Sequence, residues 1–256
     1  MIKLVFFDVD GTLIPRNEGI IPESTINSLV ALHDKGIKCV LATGRCLSDI
    51  MKMDTNRFNF DDYLTLNGQL CYGSNFKKLF GFPFVQEEVE VLESIFNAKK
   101  IPFEIIGEFS SYMNYYGELA KYVSEKYRIT LSPIDKFKGG SIYQICAYVT
   151  DRQEELLNDF LDYSVIASWG EHGIDILPAN GGKSNAIKEL CKTLNIDLSE
   201  TMAFGDGKND IEMIKTVGTS VAMGNAVKEL KDIANYTTTD IYNNGIENAL
   251  KHFNLI

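Results

Sequence analysis

Apolar residues fall along this chain in two different rhythms. Ile2–Phe7 is an apolar run interrupted only by Lys3, the pattern of a strand buried on both faces of a parallel sheet. Pro22 opens a predicted helix from Glu23 to Lys35, Gly36 closes it, and Ile37–Ala42 is a second buried strand. Arg45–Met53 is predicted helical and Tyr63–Leu66 a third short strand. Strands and helices alternating in this way predict a doubly wound parallel sheet.

Around Pro83 the rhythm changes. Gln86–Lys99 reads as a helix, and Phe103–Ile106 and Tyr112–Tyr116 as a hairpin turning at Gly107-Glu108. A polar helix (Glu118–Lys126), a strand (Ile142–Val149), a helix (Arg152–Leu161) and strands Val165–Trp169 and Ile174–Leu177 follow. Paired strands separated by helices predict an α+β unit on an antiparallel sheet. After Leu177–Gly182 the first rhythm returns: helix Lys183–Leu194, strand Thr201–Phe204, helix Asp210–Thr216, strand Thr219–Met223, then helices from Val227 and Ile241. The expected architecture is an α/β, doubly wound (Rossmann-like) core built from 1–83 and 181–256, with an α+β domain inserted at 84–180.

Length and charge narrow the function. At 256 residues there is material for one large or two modest domains. A net charge of −10 with no basic stripe argues against a nucleic-acid partner. The odd count of five cysteines, with no C-x-x-C pair, signals neither a disulfide framework nor a zinc site. Met1–Phe7 is too short an apolar run for a signal peptide, and no stretch approaches the ~20 residues of a membrane span. A cytoplasmic protein with reduced thiols and no membrane partner is expected.

The candidate chemistry lies at strand ends. In Phe6-Phe7-Asp8-Val9-Asp10-Gly11-Thr12-Leu13 two carboxylates end a buried strand. Residues two apart in extended backbone point the same way, roughly 6.5–7 Å apart, so Asp8 and Asp10 are expected to share a site. Like charges this close resist joint ionisation, which favours function over a plain polar turn. Gly205-Asp206-Gly207-Lys208-Asn209-Asp210 ends a second buried strand, and open α/β sheets bind ligands beyond their carboxyl ends. Alone, this stretch would read as a solvated turn. Four carboxylates together call for protonation or a cation, and an all-oxygen donor set favours a hard ion such as Mg²⁺.

Thr43-Gly44-Arg45 adds a hydroxyl and free amides at a strand end, suited to an anion, although Thr43 alone would pass as a helix cap. Lys183 opens another helix, where a cation is unfavourable to the dipole. A P-loop is excluded because Leu177 stands where its first glycine belongs. His33, His172 and His252 show no metal spacing, and no G-x-S-x-G or G-x-G-x-x-G occurs.

Asp8-Val9-Asp10-Gly11-Thr12, Thr43-Gly44-Arg45, Lys183 and Gly205–Asp210 together resemble, in order and spacing, the four motifs of the haloacid dehalogenase superfamily. The large insertion between the second and third resembles its Cof-type sugar-phosphatase branch (subfamily IIB). Ser184 departs from that branch, which carries glycine after the motif lysine. The resemblance implies a Mg²⁺-dependent hydrolase of a small phosphate monoester, a sugar phosphate before others, working as a monomer or weak homo-oligomer. It implies Asp8 as nucleophile, Asp10 as acid and base, and Mg²⁺ held by Asp8, the Asp10 carbonyl and Asp206. Thr43, Gly44, Lys183 and Asn209 would hold the phosphoryl group, with Asp210 behind them. A phosphosugar mutase and a phosphorylated Mg²⁺-binding switch are the rivals. The inserted domain would read the leaving group, with the tip Trp169-Gly170-Glu171-His172-Gly173 as the candidate contact and an ordinary turn as the alternative.

Overall fold

The computed structural model describes residues 1–16, 18–158 and 164–256. The chain forms two units, one from Met1–Phe80 and Lys183–Ile256, the other from Gly81–Gly182.

The first unit is the doubly wound sheet. Its strands are β1 (Leu4–Phe7), β2 (Lys38–Ala42), β3 (Asp62–Thr65), β4 (Leu70–Gly73) and β5 (Lys78–Gly81). Five more lie in the inserted unit: β6 (Phe103–Gly107), β7 (Ser111–Met113), β8 (Ile142–Tyr148), β9 (Ser164–Gly170) and β10 (Gly173–Pro178). Returning to the sheet are β11 (Thr201–Gly205), β12 (Thr219–Ala222) and β13 (Tyr236–Thr237). The order is β13-β12-β11-β1-β2-β3-β4-β5, parallel from β13 to β3 and antiparallel between β3 and β4. β1 is wholly buried, and Phe7 stacks on Phe204 of β11 at 5.2 Å between centroids. The chain winds outward one way through β2 and β3 and the other way through β11 and β12. The switch point therefore lies between β1 and β11, where such sheets open a crevice.

Several expected elements come out shorter. Only Leu47–Ile50 and a 3₁₀ turn at Asp54–Arg57 form in place of a helix over 45–53, because this stretch has one buried apolar anchor in its helix, Ile50. Pro22 sits at the cap position, outside the helix Glu23–Asp34. The expected helix at 241 starts only at Gly245. The small antiparallel strands β4 and β5 and the two-residue β13 were not anticipated.

The inserted unit is an antiparallel sheet in the order β7-β6-β8-β10-β9. Helices Gln86–Ala98 and Asp151–Asn158 contribute Leu92, Phe96 and Leu157 to a core with Phe103, Ile105, Ile145 and Ile176. The alternate strand positions Met113 and Tyr148 pack instead with Ala120 and Val123 of helix Glu118–Tyr127. β7 ends at Met113 because the buried Asn114 amide takes over, accepting from the Phe103 and Tyr115 N–H groups and donating to Phe96 and Ile101 carbonyls. The last residues of the expected helix to Leu161 lie outside the described residues. Among the described residues no helix is long and apolar enough to cross a membrane.

Candidate active site

Three of the motifs stand where a strand of the first unit stops, and Lys183 lies in the first turn of the helix Gly182–Leu194. After Phe7 the backbone curls: Leu13 N–H donates to the Asp8 carbonyl, Ile14 N–H to Val9, and Gly11 N–H to Ile14. Gly11 has φ +98°, and a Cβ there would lie 2.3 Å from Asp206 Oδ2. Only glycine lets this turn approach the neighbouring strand end so closely. The two carboxylates take different partners. Asp8 is buried, and its Oδ1 accepts from Lys183 Nζ at 2.7 Å. Asp10 lies beyond the strand, half exposed, and takes both ends of the Arg45 guanidinium at 2.7 Å. That bidentate pair holds the Asp10 carboxylate towards Arg45.

The end of β11 is built around Asp210. Its Oδ2 accepts from the Asp206 and Gly207 N–H groups at 3.0 Å each, and its Oδ1 accepts from Lys183 Nζ at 2.6 Å. Both oxygens are thus committed inside the protein, closing the loop and fixing the lysine. Asp206 itself is held from outside: Thr12 Oγ1 lies 3.4 Å from Oδ1, and Arg16 lies 3.0 Å from Oδ2. Asn225, after β12, donates to the Gly11 carbonyl at 2.8 Å and lies 3.5 Å from Asp206 Oδ2.

Carboxylate oxygens of Asp8, Asp206 and Asp210 all lie within 4.8 Å of one another. Burial is the main force pushing the Asp8 carboxyl up to about 8, with the Asp210 charge adding and Lys183 opposing. Asp206 is raised too, by burial first and by Asp210, against the pull of Arg16. Burial works against the charge of Lys183, but Asp210 and Asp8 outweigh it and hold the ammonium protonated. With Asp8 ionised, Lys183 and Arg16 are two cations for three carboxylates, which leaves the cluster short of positive charge. A hard divalent ion fits: the donors are all oxygen, and Asp8 and Asp206 face each other while Asp210 is occupied as a brace.

Thr43 and Gly44 follow β2. The Thr43 hydroxyl accepts from the Arg45 N–H at 3.2 Å, and its carbonyl accepts from the Asn67 N–H at 2.8 Å. Asn209, exposed, lies 3.4 Å through Nδ2 from Asn67 Oδ1. The structure thus brings Asp8, Lys183, Asp206 and Asp210 into one buried cluster, while Asp10 pairs with Arg45 and Asn209 reaches Asn67. Asn67 had no sequence assignment. It follows β3 in a run of left-handed residues, Leu66 (φ 51°), Asn67 (φ 55°) and Gly68 (φ 89°), and a Cβ on Gly44 would lie 3.0 Å from its Oδ1. The signal was present: Asn-Gly directly after a strand tolerates positive φ, and the strand-end argument applied to β3 as well. Asn225 escaped for the same reason, and Arg16 and Arg45 because nothing in their spacing assigns partners.

In the inserted unit, the tip proposed for substrate contact is tied to its own helix. Glu171 bonds to Lys126 and to the Tyr122 hydroxyl, and its N–H donates to Tyr127 Oη at 2.9 Å. His172 Nδ1 lies 3.0 Å from the Val149 carbonyl, with its ring against Tyr122. The Trp169 side chain lies outside the described residues. Glu171 and His172 thus have partners within the inserted unit.

Comparison with known proteins places the chain in a family. The model of the haloacid dehalogenase-like hydrolase family matches residues 5–250. YkrA of Bacillus subtilis (strain 168) is 31% identical over 257 residues, 99% of this chain and 98% of its own. The HMP-PP phosphatase of Yersinia enterocolitica serotype O:8 / biotype 1B (strain NCTC 13174 / 8081) is 31% identical over 243 residues, 90% of this chain and 87% of its own. Among solved structures, BT1666 from Bacteroides thetaiotaomicron, from a study of HAD phosphatases, superposes with TM-score 0.93 at 27% identity, covering 100% of this chain and 96% of that one. The HAD subclass IIB sugar phosphatase BT4131 superposes with TM-score 0.85 at 31% identity, covering 99% and 100%.

Proposed function

We propose, from the premise that the chain belongs to the haloacid dehalogenase-like hydrolases, that it hydrolyses a small-molecule phosphate monoester through an aspartyl-phosphate on Asp8, with Mg²⁺. The observation that carries this reading is the buried triad of Asp8, Asp206 and Asp210, with Lys183 bonded to Asp8 and Asp210. Such a site is costly unless it serves a cation and an anionic substrate.

In this reading Asp8 attacks phosphorus. Its O–P bond forms as the ester P–O bond breaks, and Asp10 gives a proton to the leaving oxygen. Asp10, now a carboxylate, takes a proton from the water that attacks the aspartyl-phosphate, which frees phosphate and restores Asp8. Lys183, steered by Asp210, the Thr43 hydroxyl, the Gly44 N–H and Asn209 hold the phosphoryl oxygens. Asp8, Asp206 and the Asp10 carbonyl would hold Mg²⁺, which supplies neutralisation of the charge shared by nucleophile and phosphate. The inserted unit is assigned the choice of leaving group, since the motif residues treat every phosphoryl group alike. The HMP-PP and sugar phosphatases among its relatives point to small phosphate substrates, sugar phosphates foremost.

The test is a panel of phosphate esters assayed for released phosphate. Activity should disappear in chelator, return with Mg²⁺, and not return with Ca²⁺, whose larger and looser coordination displaces the attacking carboxylate. Full activity in metal-free buffer would remove the metal from the reading.

A further inference from the structure

Lys183 and Arg16 both stand against the carboxylate cluster, but they are held in different ways. Lys183 is shut away from water and fixed between Asp8 and Asp210. Arg16 comes from the turn after β1, two residues past Ile14, and 64% of its side chain is exposed. Its Nη2 lies 3.0 Å from Oδ2 of Asp206, a side chain only 5% exposed. The guanidinium therefore reaches a buried carboxylate from the solvent side, on a long and flexible stem. Its charge also acts on Asp8 and Asp10. Asp206, the residue that Arg16 bonds, is the one assigned with Asp8 to hold Mg²⁺.

We propose that Arg16 is a displaceable counter-ion, which competes with the divalent ion for Asp206 and so sets how much Mg²⁺ the site needs. The inference rests on the Mg²⁺ reading and adds to it a residue outside the four motifs. Charge decides the direction. Two cations at one carboxylate repel each other, and a divalent ion bound by several oxygens outweighs a guanidinium making one contact. Arg16 gives way because an ion pair open to water on one side is weak and its head is readily hydrated. Thr12 and Asn225 still lie against the Asp206 oxygens once Arg16 has withdrawn, so the carboxylate keeps its place. Lys183, by contrast, stays with Asp8 and Asp210 throughout.

The test is calorimetric titration of Mg²⁺ into the full-length protein at about 0.15 M salt, where distant surface charges are largely screened. Arg16→Gln removes the charge at an exposed position and should bind Mg²⁺ about threefold to tenfold tighter than wild type. Arg57→Gln removes another arginine, one paired with Glu23 and Asp54, and should leave the affinity unchanged. In chelator the Tm of Arg16→Gln should lie below that of wild type. The gap should close in saturating Mg²⁺, because the ion replaces the contact that was lost. Equal or weaker Mg²⁺ binding by Arg16→Gln, the same gain in Arg57→Gln, or a Tm gap that persists in Mg²⁺ overturns the competition and leaves the metal reading standing. Wild type that takes up no Mg²⁺ in the titration overturns the metal reading and the competition with it.

Discussion

The ammonium of Lys183 stands 2.7 Å from Oδ1 of Asp8, and both side chains are shut away from water. The same ammonium lies 2.6 Å from Asp210, so one cation ties the turn after β1 to the loop after β11. Removing one member of a buried ion pair strands the other, at a cost of about 3–5 kcal/mol. Lys183→Met should lower stability by about that amount in urea unfolding with chelator present, and Mg²⁺ should restore part of it. An unfolding midpoint equal to wild type in chelator would show that the lysine is not balancing the triad.

Asp8→Asn should behave in the opposite way. The amide keeps the shape and can still accept from Lys183, while a crowded carboxyl is replaced by a group that cannot ionise beside Asp206 and Asp210. Phosphate release should fall below detection, because the nucleophile is gone, yet the unfolding midpoint in chelator should equal or exceed wild type. More than trace turnover by a purified preparation would dismiss Asp8 as the nucleophile.

The raised carboxyl of Asp8 makes stability depend on pH. Its value goes from 3.8 to about 8 on folding, so the folded state holds a proton that the unfolded chain releases. That contribution is fully present below 3.8 and is lost as pH rises through about 8. Metal must displace the same proton, so Mg²⁺ binds best where Asp8 is already ionised. The rise in Tm on adding Mg²⁺ should therefore be larger at a pH near 9 than near 6. An equal or smaller rise at the higher pH would contradict this account.

What was legible in the sequence follows from which forces are local. Largely apolar runs marked β1, β2 and β11 because strands buried on both faces must be apolar over most of their length. The acidic pairs stood out because carboxylates after such runs are expensive. The different partners of Asp8 and Asp10 were not legible. They depend on the curl from Asp8 to Ile14 and on Arg45, which is distant in sequence and reaches Asp10 only in the folded chain. Asn67 and Asn225 are similar: each is an ordinary loop amide until the sheet order sets it beside Gly44 or Gly11. β5 was missed because this short, exposed edge strand has little apolar patterning, and β4 because its four residues are too short a run to stand out.

Gly11 allows strain and crowding to be separated. Its φ is +98°, and a Cβ would lie 2.3 Å from Asp206 Oδ2, 2.7 Å from Cγ and 2.9 Å from Oδ1. Gly36, which closes the helix at Glu23–Asp34, has φ +72° but nothing within 4 Å of the same added atom. Alanine at either position carries a backbone penalty on the order of 1–3 kcal/mol, visible as a lower Tm. Only at Gly11 must a carboxylate move as well. Asp206 cannot give way cheaply, because Thr12, Arg16 and Asn225 hold its oxygens and its N–H is fixed on Asp210. Gly11→Ala should therefore weaken Mg²⁺ binding by about 10–100-fold in calorimetric titration, while Gly36→Ala loses stability with Mg²⁺ affinity unchanged. Equal Mg²⁺ affinity in the two variants would mean that Asp206 is not a ligand, or that its position does not matter to the ion.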